Sequence, residues 1–293
     1  MRYKRHVVPL LLALCQGSAL ATGADGAKPA VRWMTVDLPP LFMVSGPERG
    51  LGDYAQGLAV AHLDEYTHVT HTLPPNYQRI ERAFKDHDDV CFAGFLKTPA
   101  RERFMVFSDP YTLVMPAQLF VPSGQAHLPM SDQEVDLHTL LAAGDFRLGV
   151  LGGRRYGPAI DPVLDAYEDS TPVYRRYAKD QLAGLVNMLV SRDHSLDGLM
   201  ATPGEIDYLK RTTKAGAAQL QGYAIAGSPP FLFGYFACSR SALGQAVIAD
   251  INRALPDIRA RVARFNAQHL NSTVRDSYTK ALQDQWGIGL TAQ

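Results

Sequence analysis

The stretch CFAGFLKTPARERFMVFSDPY, residues 91–111, sets Lys97, Arg101 and Arg103 between two apolar runs. Cations so placed can hold an anion, and a planar guanidinium can do so with two parallel N–H donors on one carboxylate. A surface turn in which Arg101 pairs with Glu102 or a nearby aspartate accounts for them as well. Other candidate chemistry is weaker. His62, His68 and His71 are close in sequence, but His68 and His71 fall on a strand pattern, where residues three apart face opposite sides and cannot share a metal. Gly50-Leu51-Gly52 with Gly57 lacks the spacing of a dinucleotide fingerprint and follows a loop where that motif needs a strand; it reads as a turn into a helix. Ser277-Tyr278-Thr279-Lys280 matches Ser-x-x-Lys, yet the Ser-Asp-Asn and Lys-Thr-Gly companions of acyl-transferring enzymes are missing. No convincing pair of nucleophile and base is present, so no catalytic residue, metal site or cofactor is assigned.

These residues need a scaffold, and composition bounds it. With 293 residues and 46% hydrophobic content, the chain can bury one large core or two smaller ones. Its start is basic at Arg2, Lys4 and Arg5, apolar from Val7 to Leu14, and small around Ala19-Leu20-Ala21. That is the pattern of a cleaved secretory signal, with an apolar run too short to span a bilayer. Residues 1–21 are therefore read as a signal peptide, with the mature chain starting near Thr22. Lipidation of Cys15 is the competing reading, against which Leu14 stands where a small residue is wanted. Without residues 1–21 there are 26 basic residues against 29 acidic ones, a formal charge of −3. Nucleic acid and anionic membrane are thereby disfavoured as main partners. Two cysteines remain, Cys91 and Cys238, and an even count in an oxidising compartment favours a disulfide.

Hydrophobic periodicity then gives an order of elements. Strands are predicted at 31–36, 69–73 and 90–95, with helices at 54–66 and 77–84 between them, an alternation that predicts a parallel sheet covered by helices. Residues 113–121 are extended and apolar, and a second α/β series follows. It comprises a helix at 137–143, a strand at 147–151, a long amphipathic helix at 174–190 and a weak strand at 198–201. A strand at 231–238 and a helix over 242–270 return the chain. The simplest account is two lobes joined by an extended segment.

The order of short motifs resembles bacterial family 3 extracellular solute-binding proteins, which serve polar amino-acid importers. Asp89, the strand from Val90 to Phe92, Thr98-Pro99-Ala100-Arg101 and Phe107-Ser108-Asp109-Pro110-Tyr111 carry the likeness. Asp37-Leu38-Pro39-Pro40, Leu148-Gly149-Val150 and Gly152-Gly153 extend it over roughly residues 31–270. The resemblance implies the type II periplasmic-binding-protein fold: two α/β lobes, each a mostly parallel sheet flanked by helices, with a ligand cleft between. It divides the chain into a linker at 22–30, the first part of lobe 1 at 31–115, lobe 2 at 116–230, and a return to lobe 1 with C-terminal helices at 231–293. It also places the strands of Cys91 and Cys238 side by side.

The same resemblance implies a monomeric periplasmic protein, not an enzyme. It would close on a small polar, carboxylate-bearing ligand and pass it to a membrane ABC permease; a sensor signalling to a membrane receptor is the alternative, and an enzyme on the same scaffold a remoter one. Arg101 takes the role of bidentate clamp, with Arg103 and Lys97 facing solvent. Thr98, Asp37, Gly94, Arg154, Arg155 and Thr202 complete the implied ligand-binding set. Three positions depart from the family pattern. Leu96 replaces a Ser or Thr that helps bind the ligand's ammonium group, Thr202 stands where an Asp is usual, and Arg154 with Arg155 replaces a carboxylate-binding Thr. An ordinary α-amino acid is thus in doubt as ligand, the two extra cations either favour a more anionic one or one of them points outward, and Glu205 or Asp207 is a candidate for the missing acid.

Overall fold

The computed structural model describes residues 27–44, 47–124, 128–168, 170–191, 195–213 and 219–290; the signal-peptide reading of 1–21, with Cys15, lies outside them. The first series of elements is β1 (Ala30–Val36), α1 (Leu51–Ala61), β2 (Thr67–Leu73), α2 (Tyr77–Asp86), β3 (Val90–Phe95), α3 (Pro99–Glu102), β4 (Met105–Phe107) and β5 (Thr112–Val114). A second runs through β6 (Gln118–Pro122), β7 (Met130–Ser131), β8 (Glu134–Val135), α4 (Leu137–Ala142), β9 (Leu148–Leu151) and α5 (Asp161–Ala166). It continues with β10 (Val173–Arg176), α6 (Gln181–Val190), β11 (Gly198–Ala201), α7 (Pro203–Thr212) and β12 (Leu220–Ile225). The chain returns through β13 (Leu232–Ser239) and ends in α8 (Ala242–Ala267) and α9 (Ser272–Trp286).

One sheet is ordered β2-β1-β3-β13-β4, with β5 also on β13; the other is ordered β10-β9-β11-β6-β12-β8-β7. Both are mixed. β1 pairs parallel with β2 and β3, and β9 with β10 and β11, because helical crossovers connect them. The strands nearest the crossing between sheets, β6, β12 and β13, add antiparallel pairs. The crossing is made by two short segments: after β5 the chain enters the second sheet at β6, and after β12 it comes back at β13. β5 and β13 pair antiparallel, Leu232 opposite Val114 and Gly234 opposite Thr112, so the two connections run side by side.

Local sequence explains the elements around this crossing. β3 is buried along almost its whole length, as a central strand covered on both faces must be. Asn76 caps α2 by accepting from the Gln78 and Arg79 amides, and Tyr77, Ile80 and Phe84 form its buried stripe. Gly50 starts α1 where a Cβ would lie 2.3 Å from the Leu41 carbonyl oxygen, which fits the expected turn into a helix. α8 lays Val247, Ile251, Leu255, Ile258 and Val262 on the first sheet's core. Leu113 of β5 packs with Tyr278 and Leu282 of α9, so the C-terminal helices brace the crossing.

Two sequence expectations are corrected. Residues 174–190 do not form one helix: Tyr174 to Arg176 pair with β9, and the helix begins only at Gln181. Strand pairing overrides the amphipathic pattern there. The extended stretch 113–121 is two strands, β5 and β6, belonging to different sheets. α7 and β12 had no counterpart in the sequence reading, and α9 is one of the C-terminal helices expected within 231–293.

Cys91 of β3 and Cys238 of β13 lie directly opposite each other and are joined by a disulfide that closes a separation of 147 residues. Replacing both by serine is expected to cost about 2–5 kcal/mol of stability, read as a drop in denaturation midpoint. Alkylation of the unreduced protein followed by mass spectrometry should find no free thiol at either position; two labelled thiols would contradict the pairing.

Candidate functional site

A cavity of about 230 Å³ lies between the two sheets. The first lobe contributes Leu41, Met43 and Leu51 around the start of α1, Tyr77 of α2, and Gly94 and Phe95 at the end of β3. The second contributes Arg154, Arg155 and Tyr156 after β9, and Thr202, Glu205 and Tyr208 at α7. Tyr111, Val114, Met115 and Leu232 from the crossing form its floor, while Phe265 and His269 close it from the end of α8. Strand ends and the loops after them thus supply most of the walls, as is usual for ligand sites of α/β sheets.

Arg101 reaches this cavity from α3, whose first turn is capped by Thr98: the threonine oxygen accepts from the Arg101 amide at 3.3 Å. The guanidinium does not stand free. Nε donates to Glu81 at 2.8 Å, Nη1 donates to the Leu96 carbonyl at 2.8 Å, and the group lies over the Phe95 ring at 4.2 Å. Its side chain is 3% exposed, and Nη2 is buried without a partner. Burial pulls the Arg101 pKa below its ordinary value, against the opposing pull of Glu81. The expected bidentate clamp is therefore occupied by the chain itself, and a ligand carboxylate would have to compete with Glu81. Arg103 is exposed, and Lys97 pairs with Glu102 at 2.9 Å.

The second lobe shows the same self-pairing. Arg154 donates to Glu205 at 2.7 Å and lies over the Tyr156 ring. Burial alone would lower its pKa, but Glu205 and the neighbouring phenols outweigh that and leave it raised. The other Glu205 oxygen takes the Thr202 amide at 2.8 Å and the Thr202 hydroxyl at 2.9 Å, a capping box at the start of α7. Arg155 forms a bidentate pair with Asp165, both bonds 2.8 Å, and its Nε meets Asp161 at 3.1 Å. Glu205, one of two acids considered for the site, is thus present but engaged, and Asp207 pairs with Lys210 outside the cavity.

The remaining expected residues divide. Gly94 lines the cavity, where a Cβ would strike Phe42 and Phe92 at 2.6 and 2.7 Å. Thr98 faces a more polar part of the cleft beside Arg103 and Asp165. Asp37 is outside the cavity, exposed, with its carboxylate towards the Val44 amide: the Asp-Leu-Pro-Pro turn directs it away. His62 meets Asp257 and His68 accepts from the Trp33 indole, and no group among the described residues is arranged to hold a metal. Sequence reading missed Glu81, Tyr77, Tyr156, Tyr208 and Phe265. Tyr77 and Glu81 share one helix face at i, i+4, but nothing in the sequence joins that face to Arg101.

The lobes also touch across the cleft. The Gln181 side-chain amide donates to the Pro75 carbonyl. At Gly153, with φ +74°, a Cβ would lie 2.8 Å from Cγ of Gln78, so glycine is needed both for the left-handed backbone and for the approach of the first lobe.

No protein-family model matches the sequence, and no curated protein does. Solved structures match the fold. The periplasmic VFT2 domain of Bordetella pertussis BvgS is 17% identical, with a TM-score of 0.55 over 86% of this chain and 94% of that one. A Bacillus subtilis protein described as a probable amino-acid ABC transporter extracellular-binding protein is 15% identical, with a TM-score of 0.53 over 88% and 98%. A histidine kinase sensor domain with similarity to periplasmic binding proteins is 15% identical, with a TM-score of 0.58 over 87% and 97%. The chain has the two-lobed periplasmic-binding-protein fold. Among the described residues no helix is long and apolar enough to cross a membrane.

Arg101→Ala should cost about 3 kcal/mol, because it strands Glu81 in a partly buried position and removes the cation from Phe95. Arg103→Ala, at an exposed site, should stay within about 0.5 kcal/mol of the parent. Chemical denaturation of both variants measures this; equal midpoints would show that the Arg101 pair contributes nothing.

Proposed function

We propose that this chain is an exported solute-binding protein whose two lobes close on a small ligand, and that the closed form is recognised by a membrane partner. The observation that carries this reading is the cavity itself, walled from both lobes and floored by two paired crossing strands. Such a geometry lets a ligand touching both walls favour the closed arrangement by its differential contacts. Secretion is supported by the basic and apolar start of the sequence and by the Cys91–Cys238 bridge. A binding role rather than catalysis accords with the state of two carboxylates at the cavity: Glu205 is fully engaged and Glu48 is exposed at its edge. Delivery to an ABC permease and signalling to a receptor use the same closure; the similar solved structures include a transporter binding protein and a sensor domain.

The test has two parts. A panel of solutes is first screened by thermal denaturation, where a ligand at about 100 times its dissociation constant adds about 2.7 kcal/mol of stability. Spin labels at Lys85→Cys and Glu168→Cys, exposed residues facing the cleft from opposite lobes, then report the distance between lobes. A stabilising solute should narrow and shorten that distribution. Gly153→Ala should lengthen it and cost about 1 kcal/mol, since alanine is strained at positive φ and pushes on Gln78. No stabilising solute in the panel, or one that leaves the distance unchanged, would count against closure as the function.

A further inference from the structure

The first sheet leaves one long edge open. β2 is its outermost strand and pairs with β1 alone. The Thr67 amide donates to the Pro29 carbonyl at 2.9 Å. Because successive main-chain groups of a strand alternate in direction, Thr67, Val69 and His71 face β1, while His68, Thr70 and Thr72 present their amides and carbonyls outward. Among the described residues no backbone group meets them there. Thr67, Val69, Thr70, His71 and Thr72 are exposed, so neither face of the strand is covered, and Val69 is 56% accessible. An unpaired edge is a template for another strand, and proteins ordinarily blunt it by shortness, charge or proline. The other edges of this protein are blunted in that way. β4 and β5 have three residues each and β7 has two, while β10 carries Arg175 and Arg176. β2 runs for seven residues, THVTHTL, without proline, lysine, arginine, aspartate or glutamate.

The occupant that suits this edge is the same edge of a second copy. A two-fold axis brings like residues together, so a strand bearing lysines or glutamates would repel its copy, and β2 has none. Antiparallel pairing centred on Thr70 uses all three outward residues: Thr70 meets Thr70 of the second copy, and His68 meets its Thr72. Moving the centre to Val69 sets Thr72 against Tyr66, whose amide is already bonded to the Leu63 carbonyl. Moving it to His71 sets His68 against Pro74, which has no amide. The Thr70 register also lays Val69 beside His71 of the second copy, which covers the exposed valine. Once two β2 strands are joined, the sheet ends at the short β4 on both sides, and pairing stops at two copies. We propose that β2 is a self-association edge, through which two copies of this chain pair antiparallel about Thr70 into one continuous sheet. This departs from the monomer that the family resemblance implies, and it holds whatever the cleft binds.

Sedimentation velocity of the full mature chain over a range of concentrations tests it. A strand edge is a small interface, so the dimer should form reversibly, with a dissociation constant of about 100 µM or tighter. Thr70→Asp and Thr70→Lys each set like charges face to face at the axis and should weaken association at least about tenfold. Their denaturation midpoints should stay close to that of the parent, since Thr70 is exposed and its outward amide takes no part in the pairing with β1. An equimolar mixture of the two variants should recover the dimer as a mixed pair, because this register sets aspartate against lysine. The proposal is overturned if the parent chain stays monomeric at about 500 µM, or if either variant associates as tightly as the parent, which would place the interface elsewhere. It is equally overturned if the mixture associates no better than each variant alone, or if the parent assembles beyond a dimer. Closure around a solute is judged separately, by the label distances.

Discussion

The antiparallel pairing of β5 with β13 is the constraint on which the molecule depends. The two strands belong to stretches far apart in sequence, and each borders a segment that crosses between sheets. Tied together, they hold the two lobes at a fixed edge and leave the opposite edge open as a cleft. Leu113 and Phe233 from this ribbon pack against the C-terminal helices, so α8 and α9 stiffen it from behind. The cavity floor is made of the same residues: Val114 and Leu232 are a cross-strand pair as well as lining groups. The closure proposed for the lobes would bend the short segments flanking the ribbon, the arrangement expected of a hinge.

Within that frame the energetics of buried charge decide the character of the site. Removing a guanidinium from water costs several kcal/mol unless it is paired and its donors are used. The chain meets this cost for Arg101 with Glu81, a backbone carbonyl and the face of Phe95. It meets it for Arg154 with Glu205 and the face of Tyr156. A binding protein for anions would leave that compensation to the ligand, whereas here it is internal. The Arg101 and Arg154 charges are thus compensated within the chain, while Arg49 and Arg211 also line the cavity.

Much of the fold was legible in the sequence because its signals are local. The buried runs at β1 and β3, the proline and glycine punctuation around α1, and the motif order all pointed to two α/β lobes. Boundaries failed where local and tertiary preferences conflict. Tyr174-Arg175-Arg176 continues an amphipathic helical pattern, but an open edge beside β9 captures it as a strand. The site was half legible. Thr98, Arg101, Gly94, Arg154, Arg155 and Thr202 were named and do gather at the cleft, while Asp37 is turned outward. The partners were not legible, because Glu81 lies twenty residues before Arg101 and Glu205 lies 51 after Arg154. The arginines could be named from the sequence, but not the carboxylates that pair with them.

The opening motif illustrates why resemblance and chemistry can part. Its residues have structural duties that do not involve a ligand. Thr98 caps α3, the Ser108 hydroxyl accepts from the Phe236 amide, and the Tyr111 hydroxyl donates to the Ala93 carbonyl at 2.6 Å. The Pro110 carbonyl takes a hydrogen bond from Arg259 of α8. These contacts fasten β3, β13 and α8 around the crossing whatever occupies the cleft. Arg101 and Arg154 take their charge partners from other elements, Glu81 of α2 and Glu205 of α7. The Phe-Ser-Asp-Pro-Tyr turn therefore speaks for how the lobes are joined.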